Sequence, residues 1–241
     1  TAVEDLEDEI DEAFLEEEGF EEETDLGGES WFKLPGGLSL RSAGVNLGFY
    51  KPSMAYWNDS YGSSAQHPNT PWTVSSAFGM SFLFQAGMRL NLNAENTLWT
   101  ELGLGFWSGS SELKGTYAEL GTNGTEKIEY SIMPINISVG YSLSDLLLSG
   151  MYAGAGLGAN KITMTQTQDS DSIESTGFGT MYHLLVGYDY PLTDQLSLGA
   201  ELQIALGGHK HVLASQTTED ISLTGPKILL QLNYLFQTDN D

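Results

Sequence analysis

Charged and amide side chains recur on one face of the strands that this sequence predicts, where they could form a buried ion-pair network. Arg89 and Glu101 flank a short predicted turn, so a salt bridge between neighbouring strands is geometrically reasonable. Further residues share that face: Asp189, Glu201, His183, Gln85 and Gln203. Breaking a buried ion pair costs about 3–5 kcal/mol, so such charges need partners. The pattern predicts a polar cluster that fixes packing; the alternative is a gated or narrow conducting path.

Two further groups of residues could bind metal ions. His209 and His211 stand two residues apart, and in an extended strand both side chains would point the same way. Two ligands without a nearby third form a weak zinc site, so a polar loop is the preferred interpretation. Asp169, Asp171 and Glu174 lie in another predicted loop, but a calcium loop requires a denser carboxylate set and a turn glycine. The sequence therefore predicts neither a metal site nor a cofactor.

A histidine combined with a serine could catalyse lipid modification. His67 lies near Ser63 and Ser64 in a predicted loop. No spacing in this region is diagnostic of a catalytic group, and no oxyanion hole is evident. The sequence therefore predicts a protein that is not an enzyme, and a lipid-modifying enzyme is the least favoured alternative.

Negative charge is concentrated at the N-terminus. The formal net charge is −24, and residues 1–30 contain 15 of the 33 Asp and Glu residues without any Lys or Arg. This charge argues strongly against nucleic acid as a partner. Leu6, Ile10 and Phe14 in the same segment fall at helical spacing. Three interpretations follow: a solvated arm, a segment that folds on a basic protein partner through these apolar residues, or a loose binder of cations.

From residue 38 onward, apolar residues recur at every second position, which is the period of a β-strand. The clearest stretch is "FGMSFLFQAGMRLN", in which seven successive alternate positions are apolar. These positions are Phe78, Met80, Phe82, Phe84, Ala86, Met88 and Leu90. The next stretch, "TLWTELGLGFWS", repeats the pattern. Six further segments fit the same period: 38–50, 128–141, 147–161, 177–190, 196–207 and 223–236.

The connections between these eight segments alternate in length. Short turns are predicted at 92–96, 143–146 and 192–195, and long polar loops at 51–75, 109–127, 162–176 and 208–222. This rhythm is typical of an all-β, antiparallel, up-and-down barrel with its long loops at one end. The predicted parts are an acidic extension and linker over 1–37, an eight-stranded barrel over 38–236 and a short tail over 237–241.

Two kinds of eight-stranded barrel have this periodicity, and they differ in the direction of the apolar face. A soluble lipocalin-like carrier has bulky apolar side chains inside, whereas a transmembrane barrel directs them into lipid. The second face here is too poor in Lys and Glu for a solvated surface. In "MYAGAGLGANKI", Gly154, Gly156 and Gly158 would face a narrow lumen crowded by Trp99 and Tyr152. The sequence therefore predicts a transmembrane β-barrel.

Four stretches carry a family resemblance: "GVNLGFYKPS", "IMPINISVGYSLSD", "MYAGAGLGA" and "LLQLNYLF". Over residues 38–236 the sequence resembles the small outer-membrane β-barrel superfamily of Gram-negative bacteria, which includes the membrane domain of outer-membrane protein A and the opacity and OmpW-like barrels. The resemblance implies that Tyr234 and Phe236 form the signal read by the barrel-assembly machinery. Two features depart from the usual pattern, namely "QTDND" after Phe236 and the acidic N-terminal extension.

The resemblance implies an outer-membrane location, with outer-membrane lipid as a partner, both termini in the periplasm and the long loops outside the cell. The favoured function is that of a non-enzymatic structural or accessory subunit. Its acidic segment would dock a periplasmic or outer-membrane protein. The alternative is transport, through a narrow pore or along a lateral route for small hydrophobic molecules.

Overall fold

A computed structural model describes residues 33–34, 38–57, 73–76, 78–117, 122–144, 148–212 and 218–236. Several predicted positions lie outside these ranges, namely Leu6, Ile10, Phe14, Ser63, Ser64, His67 and the tail 237–241. Within the described ranges no helix combines the length and the apolar composition that crossing a membrane would require.

The described residues form one antiparallel sheet. Its strands are β1 (Lys33–Leu34), β2 (Leu38–Tyr50), β3 (Thr73–Ser76), β4 (Ser81–Asn91), β5 (Leu98–Tyr117), β6 (Thr122–Ser142), β7 (Met151–Gln168), β8 (Asp171–Pro191), β9 (Leu196–Val212), β10 (Thr218–Ser222) and β11 (Gly225–Leu235). Eight of these strands make a ring, because β11 pairs with β9 on one side and with β2 on the other. A closed sheet leaves no edge, so its backbone groups are paired internally, as hydrocarbon demands. The predicted eight-stranded barrel is confirmed.

The apolar faces of the strands point outward. Phe82 is 55% exposed and Phe84 is 40% exposed, whereas Gln85, the residue after Phe84, is 5% exposed. The same alternation runs from Met133 to Tyr141 on β6, where the odd-numbered residues are exposed and the even-numbered ones are buried. Residues 133–141 make nine positions, and a tilted strand of this length spans an apolar band about 25 Å high, the height expected of an outer-membrane barrel. The predicted orientation of the two faces is therefore confirmed within the band. The prediction is wrong for Phe78, which is buried against Tyr130 above the band.

Glycines on β7 lie beside the crowded interior. A β-carbon added to Gly156 would overlap the ring of His183, and one added to Gly158 would overlap the side-chain oxygen of Asn136. Their neighbours Ala155 and Leu157 are exposed on the outer face. Glycine at these strand positions therefore makes room for larger side chains from neighbouring strands.

The strands extend further than the sequence predicts at the end that carries the long connections, called here the long-loop end. The prediction of long polar loops at 109–127 and 162–176 is wrong. β5 and β6 pair as far as Tyr117 and Thr122, and β7 and β8 pair as far as Gln168 and Asp171. Above the apolar band the outward positions are mostly Ser, Thr, Lys and Glu, so the apolar alternation that indicates the strands disappears while the pairing continues.

The position of the apolar band can be tested with one charged residue. Ile137 lies outward at the middle of the band, and Ile137→Arg is expected to lower the free energy of unfolding by about 2–4 kcal/mol. Thr176→Arg, an outward position on β8 above the band, should change it by less than about 0.5 kcal/mol. Denaturant unfolding in phospholipid vesicles measures both. Equal losses at the two positions would contradict the assigned band.

Candidate functional site

The lumen contains an ion-pair network centred on Arg89, called here the arginine cluster. Its guanidinium lies 2.6 Å from a carboxylate oxygen of Glu101, 2.9 Å from one of Asp189 and 3.5 Å from one of Glu201. The register places Arg89 directly opposite Glu101 on β5, while β8 and β9 bring the other two carboxylates across the lumen. One guanidinium is thus surrounded by three carboxylates.

Aromatic and amide groups complete the arginine cluster. The guanidinium carbon of Arg89 lies 4.7 Å from the ring centre of Trp99 and 4.8 Å from that of Tyr152. The Tyr152 hydroxyl donates toward Glu201 at 2.9 Å and lies equally close to the side-chain oxygen of Gln231. Charged and aromatic side chains therefore fill the narrow part of the lumen at this level, and they leave it closed.

The predicted lumen residues occupy two levels. Arg89, Glu101, Asp189 and Glu201 meet in the arginine cluster, and Gln203 donates to Glu201 at 2.6 Å. The remaining two are buried elsewhere: Gln85 on β4, and His183, whose ring lies 2.8 Å from the Ser138 hydroxyl. Sequence reasoning omitted Gln231 from the cluster, although Gln231 occupies the inward parity of β11.

A second polar group lies between the arginine cluster and the long-loop end. Lys227 on β11 is 1% exposed, and Asn160 on β7 is fully buried. Within the described residues the Lys227 ammonium has no hydrogen-bond partner, and neither do the two amide atoms of Asn160. The ammonium lies 5.1 Å from the ring centre of Tyr50, a cation–π contact. Sequence reasoning missed this pair because Pro226 obscures the register of β11.

Above this pair the lumen is lined by apolar side chains, which form what is called here the upper compartment. Its members are Tyr50, Leu83, Trp107, Ile128, Tyr130, Ile132, Ile162, Met164, Met181, Ile221, Leu223 and Leu229. The apolar lining of this half of the barrel differs from the polar inward face that the sequence predicts for a transmembrane barrel. Its walls suit an apolar molecule rather than a hydrated ion.

The mouth of the upper compartment is filled by the segment 51–57, called here the mouth segment. Met54 and Trp57 are buried against the compartment, and the Trp57 indole donates to the Tyr130 hydroxyl at 2.8 Å. Backbone bonds from Ser53 to Thr224 (2.8 Å) and from Met54 to Ser222 (3.1 Å) hold the segment. Two large apolar side chains therefore occupy the space that an apolar ligand would take.

The barrel wall has a seam between β8 and β9. Within the described residues their ladder ends at Thr180 and Gly208, although β8 continues to Asp171 and β9 to Val212. A groove of about 680 Å³ lies there, and its lining includes Phe178, Gly179, Gly208, His209 and Ile221. Ile221 also belongs to the upper compartment, so the groove and the compartment share a wall residue.

The two histidines at the seam are buried, so the prediction of a polar loop at His209 and His211 is wrong. Both lie on β9, and the His211 ring lies 2.6 Å from the Ser175 hydroxyl across the seam. Neither ring nitrogen of His209 has a partner among the described residues. His209 lies above the apolar band, and burial, assisted by the nearby His211, lowers its pKa to about 4. The seam is therefore closed by neutral imidazoles at neutral pH.

Possible metal ligands do not assemble in the part of the chain that the structure describes. No group of three or more His, Asp or Glu residues there could hold a metal ion. Asp169 occupies the turn between β7 and β8 and accepts a hydrogen bond from the Thr125 amide at 3.2 Å. Asp171 and Glu174 are exposed on β8 rather than in a loop.

The closed ring, its apolar exterior and its polar cluster define an integral outer-membrane β-barrel. The chain belongs to the family described as the outer membrane protein beta-barrel domain, whose family model matches residues 36–236. Comparison of the sequence with curated proteins gives no match.

Solved structures of similar architecture come from several bacteria. Neisserial surface protein A is 10% identical, with 83% of this chain and 99% of that chain covered and a TM-score of 0.46. OprG from Pseudomonas aeruginosa is 14% identical, with 83% and 95% covered and a TM-score of 0.40. Ail from Yersinia pestis is 11% identical, with 81% and 99% covered and a TM-score of 0.39. At these values the likenesses carry no argument about function.

The arginine cluster predicts unequal losses of stability for two substitutions. Arg89→Met leaves three carboxylates facing one another without a cation, so the free energy of unfolding should fall by about 3–5 kcal/mol. Glu201→Gln keeps an oxygen for Tyr152 and leaves Arg89 two carboxylates, so the loss should be about 1 kcal/mol or less. Denaturant unfolding of both variants in vesicles measures the difference. Equal losses would show that all three carboxylates are needed.

Proposed function

We propose that this protein is a non-enzymatic outer-membrane barrel that lets small hydrophobic molecules pass sideways through its wall. The observation that carries the proposal is the upper compartment, which is apolar, closed below by the arginine cluster and bordered by the β8–β9 seam. A molecule that displaces the mouth segment at the long-loop end would meet apolar side chains, and beside them the seam where β8 and β9 share no ladder within the described residues.

Passage straight through the barrel is disfavoured by the arginine cluster. Arg89 is buried and engaged by three carboxylates and two aromatic rings, so a path would require this network to break. An apolar molecule offers no hydrogen bonds in exchange, and each polar group left unpaired in a buried site costs about 1–3 kcal/mol. The same network argues against the alternative of a narrow pore.

Passage through the seam disrupts fewer interactions. Below Thr180 and Gly208, opening β8 and β9 would break consecutive backbone hydrogen bonds, whereas above these residues the two strands share no ladder within the described residues. A side-chain contact between Ser175 and His211 bridges them there. The lower end of the seam, at Thr180 and Gly208, lies at the upper edge of the apolar band, so a molecule that leaves there would reach lipid. In this proposal the long-loop end faces outward and both termini are periplasmic.

Locking the seam tests the lateral route. The sequence has no cysteine, so Ser175→Cys with His211→Cys, oxidised with a short bis-thiosulfonate reagent that replaces the length of the histidine ring, introduces one defined bridge across β8 and β9 that dithiothreitol can cleave. We expect the oxidised variant to slow uptake of the apolar dye N-phenyl-1-naphthylamine by cells of a Gram-negative host at least fivefold. Dithiothreitol should restore the uptake.

A matched control places the disulfide where the wall is already closed. Thr163 and Thr176 lie directly opposite each other on β7 and β8. Thr163→Cys with Thr176→Cys should leave dye uptake unchanged in either redox state. Uptake that is unaffected by the oxidised seam variant would overturn the lateral route.

A structural or accessory-subunit role is the second candidate. It is supported by the acidic segment, whose 15 carboxylates in 30 residues have no basic counterpart and suit a basic protein partner. Leu6, Ile10 and Phe14 would be its apolar anchors, and Tyr234 and Phe236 would serve the assembly machinery during biogenesis. Purification in mild detergent with and without residues 1–30 tests this role. A protein that co-elutes only with the full chain supports it, and a lone monomer with the segment intact contradicts it.

A further inference from the structure

Lys227 and Asn160 form the base of the upper compartment. They line one small space together with Tyr50, Leu83, Trp107, Ile132, Pro134, Met181 and Leu223. The Lys227 ammonium and both amide atoms of Asn160 are buried and have no hydrogen-bond partner among the described residues. Two polar side chains, from β7 and β11, thus line a space that is otherwise largely apolar.

Buried polar groups without hydrogen-bond partners indicate a site for a ligand. Buried polar groups are almost always hydrogen-bonded, and a buried charge without a partner is strongly unfavourable. Glu201 does not pair directly with Lys227, because its carboxylate is engaged by Arg89, Tyr152 and Gln203. The space between the two side chains has a volume of about 10 Å³, which is close to the room that one water molecule needs.

We propose that Lys227 and Asn160 bind the carboxylate of a small amphiphile whose aliphatic chain lies in the upper compartment. This inference rests on the proposed function and narrows its substrates to hydrophobic monocarboxylic acids. The ammonium of Lys227 and the side-chain NH₂ of Asn160 donate to the carboxylate oxygens. The chain takes the space that Met54 and Trp57 fill in the closed structure, so binding requires the mouth segment to move outward.

The chemistry of the site favours a single negative charge over the alternatives. An alcohol or an alkane would leave the ammonium without a counter-charge, whereas an ion pair in a buried site adds a strong charge-assisted hydrogen bond. A phosphate or dicarboxylate would bring more negative charge than one lysine neutralises. The neighbouring arginine cluster already contains three carboxylates for one guanidinium, so it would repel such an excess.

Binding of octanoate and of 1-octanol to the protein in lipid nanodiscs tests this inference. Octanoate labelled with ¹³C at its carboxyl carbon reports the head group by NMR, and empty nanodiscs correct for partition into lipid. The wild-type protein should bind octanoate at least tenfold more tightly than octanol. Lys227→Met should remove this preference and leave octanol binding unchanged. Lys210→Met, which removes an exposed lysine of β9, should behave as the wild type does.

The outcomes distinguish failure of the proposed carboxylate site from failure of the proposed hydrophobic route. If octanol binds and octanoate binds no more tightly, the carboxylate site is overturned while the hydrophobic route stands. If neither molecule binds to the wild-type protein, both are overturned. Folding of each variant is checked by the heat-dependent gel mobility of barrels. Should Lys227→Met fail to fold, Asn160→Leu supplies the second test, with at least a threefold loss of octanoate binding expected and unchanged binding contradicting the site.

Discussion

The structure depends on one constraint, which is that a chain crossing hydrocarbon must pair every backbone amide and expose only apolar side chains. Closure of eight strands meets the first demand, and the outward face of each strand meets the second. Because side chains alternate across a strand, every polar group within the band must point into the lumen. The ion-pair network around Arg89 is the consequence, since charges gathered in so narrow a space can persist only by pairing with one another.

The polarity of the two faces inverts at the upper edge of the apolar band. Side chains still alternate there, but the outward face becomes polar and the inward face becomes apolar. On β6, Ile137 points outward and Ser138 inward within the band, whereas Glu129 points outward and Tyr130 inward above it. The strands are continuous through this change, so one sheet has a polar lumen in its lower half and an apolar lumen in its upper half. The upper half has the apolar interior and polar exterior of a soluble barrel, whereas the lower half has the reverse arrangement of a membrane barrel. An apolar interior can therefore stand above the polar one in a single barrel, beneath the mouth segment.

The sequence predicts correctly the parts of the structure that strand periodicity and short turns determine. Arg89 and Glu101 could be paired from the sequence because a short turn fixes the register of their two strands. For Asp189 and Glu201 the parity indicated the face but not the height, which only ring closure decides. His209 and His211 were assigned to a loop because glycines and polar outward residues hide the period of β9. Met54 and Trp57 lie in a connection and not in a strand. Their contacts with the lumen could not be predicted, because strand periodicity says nothing about how a connection packs.

Charge is unequal along the lumen, and this inequality gives the proposed route a direction. Among the described residues, three carboxylates pair with one guanidinium in the arginine cluster, whereas the level above it has the ammonium of Lys227. An anionic amphiphile that descends from the long-loop end would be attracted to Lys227 and repelled by the carboxylates beneath it. Attraction followed by repulsion would hold the head group at the level of Lys227. At that level the head group lies beside the upper compartment, whose wall has no β8–β9 ladder above Thr180 and Gly208 within the described residues. The lumen would therefore stop such a molecule where the nearest way out is sideways.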